Sequence, residues 1–462
     1  MSGPPGTREV LSGWGRTAPS GATVLRPLNG PELRAAADTA PARGLLARGL
    51  GRSYGDAAQN AGGVVLDTTR VDHIVELDPD AALVRVGAGA SLDALLRDLV
   101  PRGFFVPVSP GTRYVTVGGA IASDVHGKNH HLDGTWCTHV PSMALATPAE
   151  GVVEVGPGAD PALFWATAGG MGLTGVVVEA TVALPRIETS RLLVDTDRTA
   201  DLDEAMAIME AGDIDAPYSV AWVDLLAQGA ATGRSVVTSG RFARRDDLPA
   251  ARRRNPLRYD ARPLATVPRP VPPGLLNRAT VRAFNELWYR KAPRRREAEL
   301  QTIPAFFHPL DVLGDWNRLY GPAGFVQWQV VVPFAAADVL RSIVGALSRA
   351  RCPSPLAVLK RFGPANPGPL SFPMAGWTLA VDVAAGADGL GPVLDALDEQ
   401  VAAAGGRVYL AKDSRLRPEL LPAMYPRLDE WREVRARVDP MGVLRSDLGR
   451  RLGLCPQDHA DR

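Results

Sequence analysis

Cysteine is scarce in this 462-residue chain: only Cys137, Cys352 and Cys455 occur. An odd and widely spaced set makes neither a disulfide framework nor a zinc pattern, so a reducing compartment is the simpler expectation. Excess charge is missing too. The 51 Lys and Arg against 50 Asp and Glu leave a net charge of +1, too weak a field to hold nucleic acid. No apolar run approaches the ~18 residues needed to span a bilayer. The segment Met1–Arg8 lacks a charged start followed by an apolar stretch, so no secretory signal is read there. The expectation is a cytoplasmic protein whose membrane contact, if any, is peripheral; a periplasmic location stays open. With 46% hydrophobic and 22% charged residues the composition is that of an ordinary globular protein, long enough for two domains.

Glycine, by contrast, is abundant, and three glycine-rich segments stand out. The first is Arg48-Gly49-Leu50-Gly51-Arg52-Ser53-Tyr54-Gly55. The second runs from Val117-Gly118-Gly119 through Ala122, Ser123 and His126-Gly127-Lys128-Asn129. The third is Gly169-Gly170-Met171-Gly172-Leu173-Thr174-Gly175, followed by Val176. Without a Cβ the main chain comes close to a flat or phosphorylated ligand and offers it successive N–H donors. One such loop is more often a plain turn between strands. Three within one region, with Gly111-Thr112 between the first two, point to a large phosphate-bearing cofactor.

The three segments, in this order, resemble the flavin-binding half of the vanillyl-alcohol-oxidase type of FAD oxidoreductases, which share the PCMH-type FAD-binding fold. Within it the chain is most similar to the branch that oxidises the 2-hydroxyl of decaprenylphosphoryl-β-D-ribose, the first half of an epimerisation to the arabinose donor of cell-wall arabinan. Further motifs of the resemblance are Gly13–Pro19, Glu286–Lys291, Tyr320–Phe325, Ala411–Arg415 and Asp447–Leu452. It implies an α+β protein with an FAD-binding domain at 1–190, an antiparallel-sheet substrate domain at 191–406, and a C-terminal return to the first domain at 407–462. It also implies a polyprenylphosphoryl-ribose substrate and a short-chain reductase partner that completes the epimerisation.

The resemblance places FAD against Arg48, Gly49, Gly51, Arg52, Ser53, Tyr54, Gly55, Gly111, Thr112, Val117, Gly118, Gly119, Ala122, Ser123, His126, Gly127, Asn129, Gly172, Gly175, Val176 and Lys412. Many members link the flavin covalently through a histidine where this chain has Tyr54, so a non-covalent FAD is expected. Lys412, His126 and Tyr54 are the candidate catalytic groups, and which of them is the base stays open. Lys412 is read on a strand directed into the FAD-binding domain. Lys360 suits the substrate phosphate. Gln327 and Gln329 alternate along one strand and share a face, so both amides need partners, and Gln329 is the one expected at the active site. Trp222 and Tyr409 would wall the sugar and lipid pocket. Thr378 and Ala380 stand where some relatives carry an asparagine and a cysteine.

Other readings compete. His126, His130 and His131 could bind metal by composition, but ligands at i and i+4 need a helix, and a double glycine opens this segment, so no metal is expected. An alditol or aldonolactone oxidase of the same fold is the alternative activity, and a flavin-free binding protein is a third. The basic segments Arg241–Pro272 and Arg290–Glu297 are read as surface loops. Arg252–Asn255 and Arg290–Arg296 would then form a mobile lid resting on anionic lipid.

Overall fold

The computed structural model describes residues 6–456 apart from 30, 33–34, 37–42, 213–215 and 388. The reading of the first five residues, and residues 457–462 of the C-terminal return, lie outside the described residues.

Short runs of β-branched and aliphatic residues build the N-terminal sheet. Its strands lie in the order Thr7–Leu11, Ser20–Leu25, Val64–Asp67 and Leu45–Arg48, and the last three run parallel. Parallel strands need cover on both faces. Leu45, Val64 and Leu66 accordingly pack with Val176, Val178 and Leu444. The first glycine loop leaves the sheet at Arg48. A five-stranded antiparallel sheet follows, ordered Ile74–Asp78, Leu83–Gly87, Val176–Ala183, Ser142–Thr147 and Gly151–Val155. Ser91 caps the helix Leu92–Leu99, its Oγ accepting from the Ala94 N–H at 3.1 Å. The periodic leucines 92, 95, 96 and 99 are all buried.

Residues 191–408 form an eight-stranded antiparallel sheet. Its order is Arg295–Thr302, Arg191–Thr199, Ser235–Phe242, Tyr218–Val223, Ala357–Phe362, Gly376–Ala384, Phe325–Pro333 and Arg407–Val408. The helices Leu202–Gly212, Ala337–Arg349 and Leu390–Ala403 bury their apolar stripes in one core with this sheet.

The structure corrects two local expectations. Arg290–Glu297 is not a loop: Arg290 and Lys291 end the helix Arg278–Lys291, and Arg295 opens an edge strand. Edge strands carry charge to discourage further pairing, and here Arg295 meets Glu297 and Arg296 meets Glu299, both at 2.7 Å. Lys412 is not on a strand either. The strand stops at Val408, and Lys412 closes a turn by donating its N–H to the Tyr409 carbonyl at 2.9 Å.

The chain then runs back to the N-terminal sheets. The Trp431 indole donates to the Ala166 carbonyl at 3.0 Å, and Leu444 bridges Leu45 in parallel. In the helix Asp447–Arg451, the Arg451 guanidinium lies between Asp56, at 2.8 Å, and Asp413, at 2.9 Å. Burial works against the Arg451 charge, but the two carboxylates outweigh it and raise its pKa. Removing one partner of a buried ion pair leaves the others uncompensated. Arg451→Met is therefore expected to cost on the order of 3 kcal/mol, read as a lowered denaturant midpoint. An unchanged midpoint would show that the clamp is dispensable.

Candidate functional site

A cavity of about 730 Å3 lies between the glycine loops and the eight-stranded sheet. Arg48, Gly49, Gly51, Arg52, Ser53 and Tyr54 line it from the first loop, followed by Gly111 and Thr112. The second loop supplies Gly118, Gly119, Ala122, Ser123 and His126, and the third supplies Gly172 and Gly175. Across from them stand Trp222, Gln327, Gln329, Lys360 and Ala380 from the sheet, with Tyr409 and Lys412 from the turn. Residues far apart in sequence thus converge on one cavity.

Six of the expected residues do not line it, and each has a structural task. A Cβ on Gly55 would lie 2.0 Å from the Asp413 carbonyl oxygen, so this glycine lets the Lys412 turn dock on the first loop. Val117 is fully buried and donates its N–H to the Ala90 carbonyl. A Cβ on Gly127 would meet Asn129 Oδ1 at 2.5 Å. Asn129 itself donates to the Pro107 carbonyl and to Asp133. Val176 pairs with Ala146 inside the sheet. Thr378 sits behind Gln329 and accepts from its amide at 3.1 Å.

The floor suits a long, phosphate-bearing cofactor. Gly51 adopts φ +63°, and a Cβ on Gly49 would lie 2.1 Å from Thr116 Oγ1, so both positions require glycine. Arg52 stacks on the Trp14 ring at 3.8 Å, and its buried Nε has no protein partner. Arg48 differs from expectation. Its guanidinium is taken up by the Ala58 and Ser12 carbonyls at 2.8 and 2.7 Å, and it braces the loop.

His126 is buried among Phe362, Phe372 and Tyr409. Its Nε2 lies 2.9 Å from the Gln329 amide nitrogen, which also donates to Thr378. With the amide in this orientation Nε2 accepts, and Nδ1, which has no protein partner, carries the proton. Burial, then Lys360, His130 and Lys412, hold the imidazole pKa well below its usual value despite the Gln329 hydrogen bond. His126 is a neutral hydrogen-bond donor at physiological pH.

Lys412 places Nζ 3.8 Å from the centre of the Tyr54 ring, which packs at 80° to Phe325 with ring centres 5.4 Å apart. Burial lowers the Lys412 pKa, the charge of Asp382 opposes this, and Lys360 adds to it. Asp382 is pushed upward by burial against the restraint of Gln327, Lys412 and Tyr320. The Gln327 amide and the Tyr320 hydroxyl both donate to its carboxylate. Burial, then the Asp382 charge, drives the Tyr54 phenol well above its ordinary pKa. Sequence reading passed over Asp382, although a lone aspartate in the apolar strand Gly376–Ala384 was the available signal.

Two more lysines face the cavity. Burial pushes Lys360 down to about 8. Burial, reinforced by Lys360, pushes Lys128 down to about 7. Lys128 donates to the Phe306 carbonyl and lies 4.0 Å from the centre of its ring. It follows His126-Gly127 in the second loop, where the sequence offers it as a group beside the bound ligand. Tyr409 stacks on Phe372 and donates to the Ser123 carbonyl at 2.8 Å, tying the turn to that loop. The Trp222 indole donates to the Pro355 carbonyl. His130 accepts from the Gly363 N–H, and His131 reaches the Ala216 carbonyl. Among the described residues no cluster of metal-ligating side chains occurs.

Residues 22–156 match the FAD binding domain family, and residues 390–452 match the D-arabinono-1,4-lactone oxidase family. The decaprenylphosphoryl-beta-D-ribose oxidase of Mycolicibacterium smegmatis is 47% identical over 456 residues, covering 97% of this chain and 98% of its own. An uncharacterized protein of Streptomyces coelicolor is 46% identical over 373 residues, 79% of this chain and 100% of its own. The mitochondrial L-galactono-1,4-lactone dehydrogenase of Brassica oleracea is 32% identical over 126 residues, 27% of this chain and 20% of its own.

The depressed pKa of Lys128 has a measurable consequence. An unfolded lysine keeps its proton to ~10.4. Between about 7 and 10 the unfolded chain therefore binds the extra proton, and this group adds stability as pH rises through that window. Lys128→Met is expected to flatten the rise of the urea midpoint with pH there. Equal slopes in both proteins would mean that Lys128 titrates normally.

Proposed function

From the premise that the chain belongs to the decaprenylphosphoryl-β-D-ribose oxidase family of FAD-dependent oxidoreductases, we propose that it oxidises the 2-hydroxyl of decaprenylphosphoryl-β-D-ribose to the 2-keto sugar. The observation that carries this reading is the placement of Lys412 over Tyr54, where the glycine-loop floor meets the sheet. FAD, when bound along the floor, supplies the two-electron acceptor for the hydride leaving C2.

The protein's own share is to orient the sugar and take up a proton. Of the three candidate bases, His126 is neutral with Nε2 already engaged, and the raised pKa of Tyr54 leaves it a phenol. Lys412, its pKa lowered by burial, has the neutral amine that accepts the hydroxyl proton as the C–H bond breaks. Asp382 lies within the influence of that amine and tempers its loss of charge. His126 Nδ1–H donates to a sugar or cofactor oxygen. Lys360 and Lys128 receive the substrate phosphate, with Trp222 and Tyr409 as walls.

In domain terms, residues 1–190 carry the cofactor, 191–406 form the substrate domain, and 407–462 return to the first. The 2-keto product requires a reductase to complete epimerisation, and a short-chain reductase partner is the reading that fits the chemistry. Among the described residues no helix is long and apolar enough to cross a membrane, so contact with the lipid substrate is proposed to be peripheral. An aldonolactone substrate is less well supported, because the lactone dehydrogenase of Brassica oleracea matches only 27% of the chain.

The test is anaerobic mixing of the holoenzyme with decaprenylphosphoryl ribose while following the visible flavin band. Wild type should bleach; Lys412→Ala should retain FAD and bleach at least ~10²-fold more slowly. A wild type that stays coloured contradicts the substrate, and an unchanged rate removes Lys412 from the chemistry. Because Tyr54 cannot form a histidyl linkage, acid precipitation is expected to release FAD into the supernatant. Yellow colour retained by the washed pellet would show a covalent bond.

A further inference from the structure

The helix Arg278–Lys291 is assembled inside out. Its buried positions are Val281 and Asn285, and the side chains that fix it to the sheet do so through polar atoms. Asn285 donates to Asp224 at 2.8 Å, Glu286 meets Arg234 at 2.5 Å, and the Tyr289 hydroxyl donates to the Thr199 carbonyl at 3.0 Å. The large apolar residues point the other way. Phe284, Leu287 and Trp288 are 44%, 69% and 44% exposed, and Phe284 stacks on Trp288 with ring centres 6.1 Å apart. Together with Lys291 they follow the i, i+3, i+4, i+7 spacing of one helix face. A helix stabilised only by its own domain would bury that stripe.

Two observations identify the occupant of this face. First, Trp288 and Lys291 line the large cavity while remaining exposed, so the stripe borders the cavity mouth. Second, residues 278–296 carry seven cations and one carboxylate in a chain of net charge +1; Arg290, Arg295 and Arg296 meet Glu286, Glu297 and Glu299, and Arg278, Arg282, Lys291 and Arg294 add to the positive surround. An apolar stripe with an aromatic pair and a cationic surround is complementary to an anionic lipid surface, where aromatic rings settle at headgroup level and each cation adds attraction.

We propose that the outward face of this helix docks on an anionic bilayer and seats the cavity mouth on the membrane. A lipid-linked sugar then slides from the bilayer into the cavity with its tail shielded from water throughout. The argument for the tail rests on the polyprenyl-substrate reading, whereas the docking face stands on its own geometry. The polar anchors on the inner side hold the helix in place while its apolar side is given to lipid.

The test is cosedimentation of the FAD-loaded protein with phosphatidylglycerol-containing vesicles and with pure phosphatidylcholine vesicles. The comparison is Phe284→Ser/Leu287→Ser, two exposed positions that do not line the cavity. Wild type should bind the anionic vesicles and lose them at high salt, and the variant should bind at least tenfold more weakly. Turnover of a short-chain, water-soluble prenylphosphoryl ribose should match wild type, while turnover of the long-chain substrate embedded in vesicles should fall with binding. Equal vesicle binding by the two proteins overturns the proposal. So does a wild type that ignores vesicles, including one that sediments as a dimer because a second copy covers the face. If wild type fails on the short-chain ribose, the substrate reading falls, and loss of vesicle binding in the variant still supports the docking face.

Discussion

The geometry of the site hangs on the Arg451 guanidinium held between Asp56 and Asp413. Asp56 belongs to the first glycine loop, Asp413 follows Lys412, and Arg451 comes from the last described helix, so one cation joins three distant segments. The Tyr54 N–H donates to the Ala411 carbonyl at 3.1 Å, and glycine at 55 lets the Asp413 backbone close on the loop. A buried ion network contributes little net stability compared with an apolar replacement, but it has few alternative arrangements. What it fixes is register: Lys412 stands over Tyr54 because its neighbour cannot pair elsewhere without stranding a buried carboxylate.

That fixed position carries an electrostatic cost with a purpose. Lys128, Lys360 and Lys412 face the same cavity, and each loses basicity through burial. A phosphate entering beside Lys128 and Lys360 supplies the counter-charge they lack and draws protons onto them. Lys412 instead has the Asp382 charge nearby, which favours its proton against burial. The three lysines share one cavity but differ in their neighbours, since the Asp382 charge acts on Lys412 and not on Lys128 or Lys360.

What the sequence disclosed was whatever depends on local spacing. The glycine loops, the Ser91 cap and its leucine stripe, and the strand bearing Gln327 and Gln329 are each visible in a window of about ten residues. The clamp at Arg451, the brace formed by Arg48 and the buried Asp382 depend on partners far away in the chain, and no periodicity marks them. Gly55 and Gly127 show the converse error. Both have the look of ligand-facing glycines, yet their missing Cβ serves protein packing rather than the cavity. Arg290–Glu297 misled for a different reason, since the charges that protect an edge strand and end a helix have the composition of a loop.

The division between floor and wall also explains which changes the site tolerates. The cofactor floor is mostly backbone from the N-terminal sheets, where a Cβ at Gly49, Gly51 or Gly175 would meet a neighbour at 2.1, 2.2 or 2.6 Å. The opposite wall consists of side chains on antiparallel strands, where a substitution alters one face and leaves the ladder intact. The Thr378 hydroxyl accepts from Gln329, whose amide also reaches His126, so a replacement that keeps an acceptor here keeps this chain of hydrogen bonds. Ala380 pairs with Gln329 and Val358 across the ladder and only widens the cavity where a cysteine would narrow it. A change at Ala380 therefore alters the cavity wall itself, whereas a change at Thr378 acts from behind it, through Gln329.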